Sequence, residues 1–243
     1  MTVGCPLSCA GAYARRVDDP NDERFYFRQL LSGRDFAVGD PLAAQMVNFV
    51  YAIGDRTTGE CVLVDPAYDP AALVEAVGAD GMTVVGALAT HYHADHIGGS
   101  IFGHDIAGIT GLLEIVSCPI HVQRDEVPWV TRTTGVEADS LVAHEPDDVV
   151  RVGDVEVRLL HTPGHTPGSQ CFLAGTKLIS GDTLFLEGCG RTDLPGGDAD
   201  LLATSLRRLA TLDDAVVLYP GHRYSIASHA TMGAVKESNP VLA

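Results

Sequence analysis

Basic residues are scarce in this chain: 16 Lys and Arg stand against 32 Asp and Glu over 243 residues, a formal charge of −16. Affinity for phosphate backbones or anionic membrane surfaces depends on clustered Lys and Arg that displace counterions, so the balance excludes nucleic acid and membrane as partners. Long apolar runs are also missing. None approaches the roughly 20 residues that span a bilayer, and Met1 to Ala10 carries neither a basic start nor an apolar export core. The expectation is a cytoplasmic protein. Cysteine is sparse and scattered, at Cys5, Cys9, Cys61, Cys118, Cys171 and Cys189, which reads as reduced thiols and not a disulfide framework. Cys5 and Cys9 could chelate a metal, but no second Cys pair completes a tetrahedral site.

With 46% hydrophobic residues, the chain is long enough to bury a sizeable core. At this size roughly 70–75% of the unfolded surface is buried, so a metal is not needed merely to hold the fold together. Residues 1–22 read as an N-terminal extension and 23–243 as a single domain, with an irregular inserted segment at about 100–149. Strand signals, rich in β-branched and aromatic residues, occur at Phe25 to Leu30, Val47 to Ile53, Cys61 to Asp65 and Val84 to Ala89. Further strands are expected at Val155 to Leu160, Gln170 to Ala174, Lys177 to Ser180 and Ala215 to Tyr219. One helix starts with Asp69 as N-cap and Pro70 at its first position, with Gly78 past its end. A second runs from Leu201 to Leu209, with Arg207 and Arg208 towards solvent. Ser100 to Val149 reads as short helices and loops, and the whole as α/β.

Metal-ligand residue types recur in four Gly- and Pro-marked segments, each just after an expected strand: His91, His93, Asp95 and His96, then His165, Asp182 and His222. Side chains two apart on an extended segment point the same way, so His91 and His93 can grip one metal while Asp95 and His96 face a second. Open α/β sheets place their sites beyond strand ends, where such distant segments can converge. His-Thr-Pro-Gly occurs twice, so His161 and His165 compete for one role; position favours His165. The other histidines, His104, His121, His144 and His229, lack ligand context, and Cys189 reads as a small turn residue. The first metal would take His91, His93 and His165; the second would take Asp95, His96 and His222, with Asp182 bridging. Two metals roughly 3.5–4 Å apart lower the pKa of bound water from 15.7 to about 7. Zinc is the first expectation for the two divalent ions, with iron or manganese as alternatives.

In these residues the chain resembles the metallo-β-lactamase superfamily. Its H-x-H-x-D-H motif, later P-G-H, G-D and final G-H are matched in order from His91 to His222. The resemblance implies a four-layer αββα sandwich, two mixed sheets with helices outside and metals at one edge. It also implies His165 as the ligand.

Gly181-Asp182-Thr183-Leu184-Phe185, Gly188-Cys189-Gly190-Arg191 and Gly221-His222-Arg223-Tyr224 resemble the glyoxalase II group, which hydrolyses S-2-hydroxyacylglutathione thioesters. That implies a small-molecule thioester or thiol substrate, contacts from Arg191 and Tyr224 to its glutathione part, and a metal-activated water oriented by Asp95. Arg191-Thr192-Asp193 departs from the aromatic-containing stretch usual in that group, and no helical C-terminal domain follows His222 in the sequence as read. Phe27-Arg28-Gln29-Leu30, His93 to His96 and Gly188 to Asp193 resemble the persulfide dioxygenases. That second resemblance implies a single iron(II) on His91, His165 and Asp182. Thioester hydrolysis is the first expectation and persulfide oxidation the alternative.

Overall fold

Strand β2 (Phe49–Asp55) is buried along its whole length, and its side chains alternate between two cores, which fixes the layering. The computed structural model describes residues 23–242, so the expected extension at 1–22, with Cys5 and Cys9, lies outside the described residues. The first half of the chain supplies β1 (Phe25–Leu31), α1 (Pro41–Met46), β2 (Phe49–Asp55), β3 (Glu60–Val64), α2 (Pro70–Ala79), β4 (Thr83–Leu88) and α3 (Ala94–Ile97). It continues with β5 (Gly99–Ile101), β6 (His104–Ile106), α4 (Ile109–Ile115), β7 (Ile120–Gln123), α5 (Val127–Thr134) and β8 (Leu141–His144). The second half supplies β9 (Val149–Val152), β10 (Val155–His161), β11 (Gln170–Ala174), β12 (Lys177–Gly181), α6 (Ala199–Ala210), β13 (Val217–Pro220), β14 (Ala230–Thr231) and α7 (Met232–Ser238).

The strands form two six-stranded sheets, ordered β1-β2-β3-β4-β7-β8 and β14-β13-β12-β11-β10-β9, while β5 and β6 pair as a separate hairpin. Both large sheets are mixed: β3, β4, β7 and β8 run parallel, as do β12 and β13, and their remaining pairs are antiparallel. From β2, Phe49, Tyr51 and Ile53 pack between the sheets against Val157, Leu159, Phe172 and Ile179. Val50 and Ala52 point the other way, into a core closed by Leu73 and Val77 of α2 and Ile109 and Leu112 of α4. A third core places Leu202, Leu206 and Leu209 of α6, with Met232 and Val235 of α7, against Leu160, Cys171 and Leu178. Helix, sheet, sheet, helix is therefore the order of layers, as the αββα expectation requires. No helix among the described residues is long and apolar enough to cross a membrane.

Several boundaries differ from the sequence reading. Val47 is not in a strand; it adopts left-handed backbone (φ 50°) as the C-cap of α1, a six-residue helix the reading missed. Its start signal was present, since Asp40 accepts from the backbone of Leu42 and Ala43 and Pro41 follows it. Gly78 lies inside α2, whose last residue is Ala79, and β13 begins at Val217 instead of Ala215. Arg208 does not simply face solvent: it folds back to donate to the His161 carbonyl at 3.0 Å. The stretch from 100 to 149 is more than short helices and loops. It contributes β7 and β8 to the first sheet, each only four residues long and so too short to display a period.

The two sheets are stitched at one edge. Phe49 N donates to Gly221 O at 2.8 Å, Arg223 N to Val47 O at 2.9 Å, and Gln170 donates to Thr90 O and Ala89 O, both at 2.9 Å. This edge is where the parallel strands β4, β12 and β13 end.

Candidate metal centre

Segments leaving three strand ends and one loop bring all seven sequence-picked ligand candidates together. His91 follows β4; Asp95 and His96 sit on the single turn of α3; Asp182 follows β12 and His222 follows β13. His165 comes from the loop between β10 and β11. The donor atoms fall into overlapping groups, His91 with His93 and His165, Asp95 with His96 and His222, and His91 with His96 and Asp182, each within 4.8 Å. Small residues make the approach possible. A Cβ on Gly181 would lie 2.7 Å from Thr90, and one on Gly221 would collide with Asp182 Oδ1.

Four of the imidazoles have one ring nitrogen committed to the surrounding protein. His165 Nδ1 donates to Arg191 O and His222 Nδ1 to Met46 O, both at 2.7 Å, while His96 Nδ1 lies 2.9 Å from Asp65 Oδ2. Thr90 Oγ1 donates to Asp65 Oδ2 at 2.6 Å and is left to accept from His91 Nδ1 at 3.0 Å. Each of these contacts commits Nδ1 and directs Nε2 inward, as the nitrogen available to an ion. His93 is turned the other way: its Nδ1 lies 3.0 Å from the Nε2 atoms of both His91 and His165, and its Nε2 has no partner.

The second group repeats this convergence of acceptors. The Nε2 atoms of His96 and His222 face each other at 3.1 Å, with Asp95 Oδ2 3.5 Å and 3.4 Å away from them. Asp182 lies between the groups, Oδ1 3.4 Å from His96, Oδ2 3.3 Å from His222 and 3.8 Å from His165. Its Oδ1 is buried without a hydrogen-bond partner. Lone pairs of neutral imidazoles and carboxylates packed this closely repel unless a cation or protons lie among them, so the residues present fit divalent metal. Burial opposes ionisation of Asp182, but the His222 and His96 rings outweigh it and hold the carboxyl well below the usual carboxylate range. Burial likewise opposes a charge on His96, and the Asp95 and Asp182 carboxylates still raise it well above its ordinary value. Those same carboxylates attract metal, so loading would displace protons.

Two supporting residues, Asp65 and Asn48, were not among the site residues picked from the sequence. Asn48 is 1% exposed; Tyr68 Oη donates to its Oδ1 at 3.0 Å, which turns its Nδ2 towards Asp95 Oδ2 at 3.0 Å. Asp65 closes a strand in the sequence reading, and a buried acid at the end of a parallel strand could have been flagged. Tyr224 lies flat on the His222 ring, centroids 4.8 Å apart and planes 4° from parallel. Burial first, then Asp182 and Asp95, raise the pKa of its hydroxyl, which places it in their field. The exposed guanidinium of Arg191 is paired with Asp193 at 2.6 Å and 2.7 Å, although its carbonyl holds His165. Outside the cluster, His161 bonds Pro167 O, His121 pairs with His144, His229 stacks on Tyr219 and His104 lies exposed on β6. Cys189 is half-buried, and burial raises its thiol pKa.

A family model described as the Metallo-beta-lactamase superfamily matches residues 45–222. A hydroxyacylglutathione hydrolase of Rhodopseudomonas palustris is 34% identical over 197 residues, covering 80% of this chain and 70% of that one. The mitochondrial persulfide dioxygenase ETHE1 of Homo sapiens is 31% identical over 198 residues, covering 80% and 71%. The crystal structure of ETHE1 from Myxococcus xanthus matches with a TM-score of 0.71 at 29% identity, covering 89% of this chain and 84% of that chain.

Proposed function

The chain belongs to the metallo-β-lactamase superfamily, and we propose that it is a metal-dependent hydrolase that cleaves a thioester of the hydroxyacylglutathione type. The observation that carries this reading is the completeness of both three-residue ligand groups, with Asp182 between them. When bound there, a pair of divalent cations, zinc first among the candidates, would polarise the thioester carbonyl and make water nucleophilic near neutral pH.

The chain's own residues do the rest. Asp95, held by the Asn48 amide, is placed to orient the attacking water and keep its proton from returning. His91, His96, His165 and His222 have Nδ1 committed outward, so Nε2 is the nitrogen each would offer to an ion. Tyr224, 58% exposed above His222, offers a flat apolar face with a hydroxyl at its tip to the thiol portion of the substrate. Arg191 stands at the rim, where a substrate carboxylate would replace Asp193 as its partner. The named relative that hydrolyses hydroxyacylglutathione supports this choice of substrate class.

One contact favours a second reading, oxidation of a persulfide with a single iron(II). Asn48 Nδ2 lies 3.0 Å from Asp95 Oδ2 and 3.3 Å from His96 Nε2, so a neutral donor already partly satisfies the second group. The relative named persulfide dioxygenase supports it too.

Elemental analysis of protein purified without added metal separates the two: about two ions per chain, rich in zinc, for hydrolysis, and about one iron for oxygenation. Parallel assays would follow loss of S-lactoylglutathione and oxygen uptake with glutathione persulfide. Turnover in the second assay alone overturns the hydrolase reading. His222→Ala should abolish a two-ion hydrolase yet leave a one-ion oxygenase largely active.

A further inference from the structure

Glu126 is a buried carboxylate that neither reading uses. It is 1% exposed, in the turn that joins β7 to α5. Among the described residues no Lys or Arg pairs with it, and burying a carboxylate without a counter-cation costs several kcal/mol unless hydrogen bonds compensate. Three do. Oε1 accepts from Tyr92 N and from Thr166 Oγ1, both at 2.7 Å, and Oε2 accepts from Gly168 N at 2.6 Å.

The donors come from two separate segments of the metal centre. Tyr92 stands between His91 and His93; Thr166 follows His165, and Gly168 lies further along the same loop. The fit is close, because a Cβ on Gly168 would lie 2.6 Å from Glu126 Oε2. A carboxylate offers acceptors on both oxygens and turns no donor towards any of these three groups. A glutamine in the same place must turn an N–H towards one of the three donors, leaving that donor unpaired against it.

We propose that Glu126 is a positioning residue for the first ligand group: by tying the backbone between His91 and His93 to the loop of His165, it sets the spacing of these three donors and hence their grip on the cation. The inference does not depend on which reaction the centre performs. His93 Nδ1 to His165 Nε2, 3.0 Å across the two segments, is the spacing it controls.

The test compares Glu126→Gln and Glu126→Asp with Asp55→Asn. Asp55 is a control of similar burial, accepting from Thr57 N at 2.8 Å and Asp154 N at 2.9 Å in turns away from the ligands. Metal-free proteins would be titrated with Zn(II) or Co(II) against a chromophoric chelator, resolving the stepwise constants, and unfolded in urea. Glu126→Gln should weaken one step by about 10–100-fold and leave the other within about threefold. Glu126→Asp, one methylene short of spanning both segments, should weaken the same step by less. Asp55→Asn should lower the urea midpoint and leave both steps unchanged. Wild-type affinity in both Glu126 variants overturns the proposal, as does a loss of affinity in all three variants that merely follows their loss of stability. Should Glu126→Gln not fold, Glu126→Asp is judged by the same two outcomes. Because the readout is metal affinity, a failed thioesterase assay leaves this result standing.

Discussion

The nitrogen that each imagined ion would not touch is as informative as the one it would. His96 is aimed by Asp65, whose two oxygens also accept from Thr90 N at 2.7 Å and Thr90 Oγ1 at 2.6 Å. Asp65 itself has left-handed backbone (φ 55°), a conformation that asparagine tolerates at least as well as aspartate. Asp65→Asn therefore removes charge with little strain. It should weaken ion binding at Asp95, His96 and His222 by about 10–100-fold and affect the His93 side less, as read by competition titration. An unchanged second constant would count against this role. At this scale the sequence was legible where donors crowd together: three imidazoles and a carboxylate within 91–96 have no ordinary core purpose. Asp65, Asn48 and Glu126 stand alone in the sequence, and only folding shows what each one touches.

Elements carry the donors, so packing faults in them should reach the centre selectively. Gly164 has φ 134° and lies against the backbone of Leu202 in α6, while Asp198 N, at the start of that helix, donates to Gly164 O at 2.8 Å. Gly164→Ala must push α6 and the His165 loop apart. It should cost about 1–3 kcal/mol and also weaken ion binding. Leu209→Ala, in the same helix and fully buried, should cost about 2–5 kcal/mol in urea unfolding yet leave ion affinity intact. Equal effects of the two on affinity would contradict this division.

Between β7 and β8, His121 Nδ1 lies 2.8 Å from His144 Nε2. Burial, then His144, lowers His121 to about 4 from 6.5. From about pH 6.5 down to about 4 the unfolded chain takes up a proton that the folded one refuses, so this group's contribution to stability is present above that window and fades as pH falls. Metal-free wild type should lose more urea midpoint than His121→Gln between about pH 7.5 and about pH 5. The strands that lead into the centre were readable from apolar runs such as Val84 to Ala89. In contrast, β7 and β8 derive their strand character from neighbours in the sheet, which no local pattern records.

For the molecule as a whole, three apolar cores hold four layers without recourse to the centre. Chelation should therefore leave far-UV circular dichroism and cooperative unfolding in place. Returning Zn(II) should raise the thermal midpoint with its concentration, the stabilisation reaching about 2.7 kcal/mol at a hundredfold excess over the dissociation constant. Collapse of the dichroism on chelation would show that the cores are insufficient. Layer order was legible only through the resemblance, since periodicity distinguishes strand from helix but does not say which sheet a strand joins.

The stitched edge divides the donors unequally. The first sheet and its loops supply His91, His93, Asp95 and His96, and the second supplies His165, Asp182 and His222. A chain that stops before His165 carries only two of the three donors of either group. The first group is complete once His165 has been made and the second only after His222, so a product truncated between them would be left with half a centre.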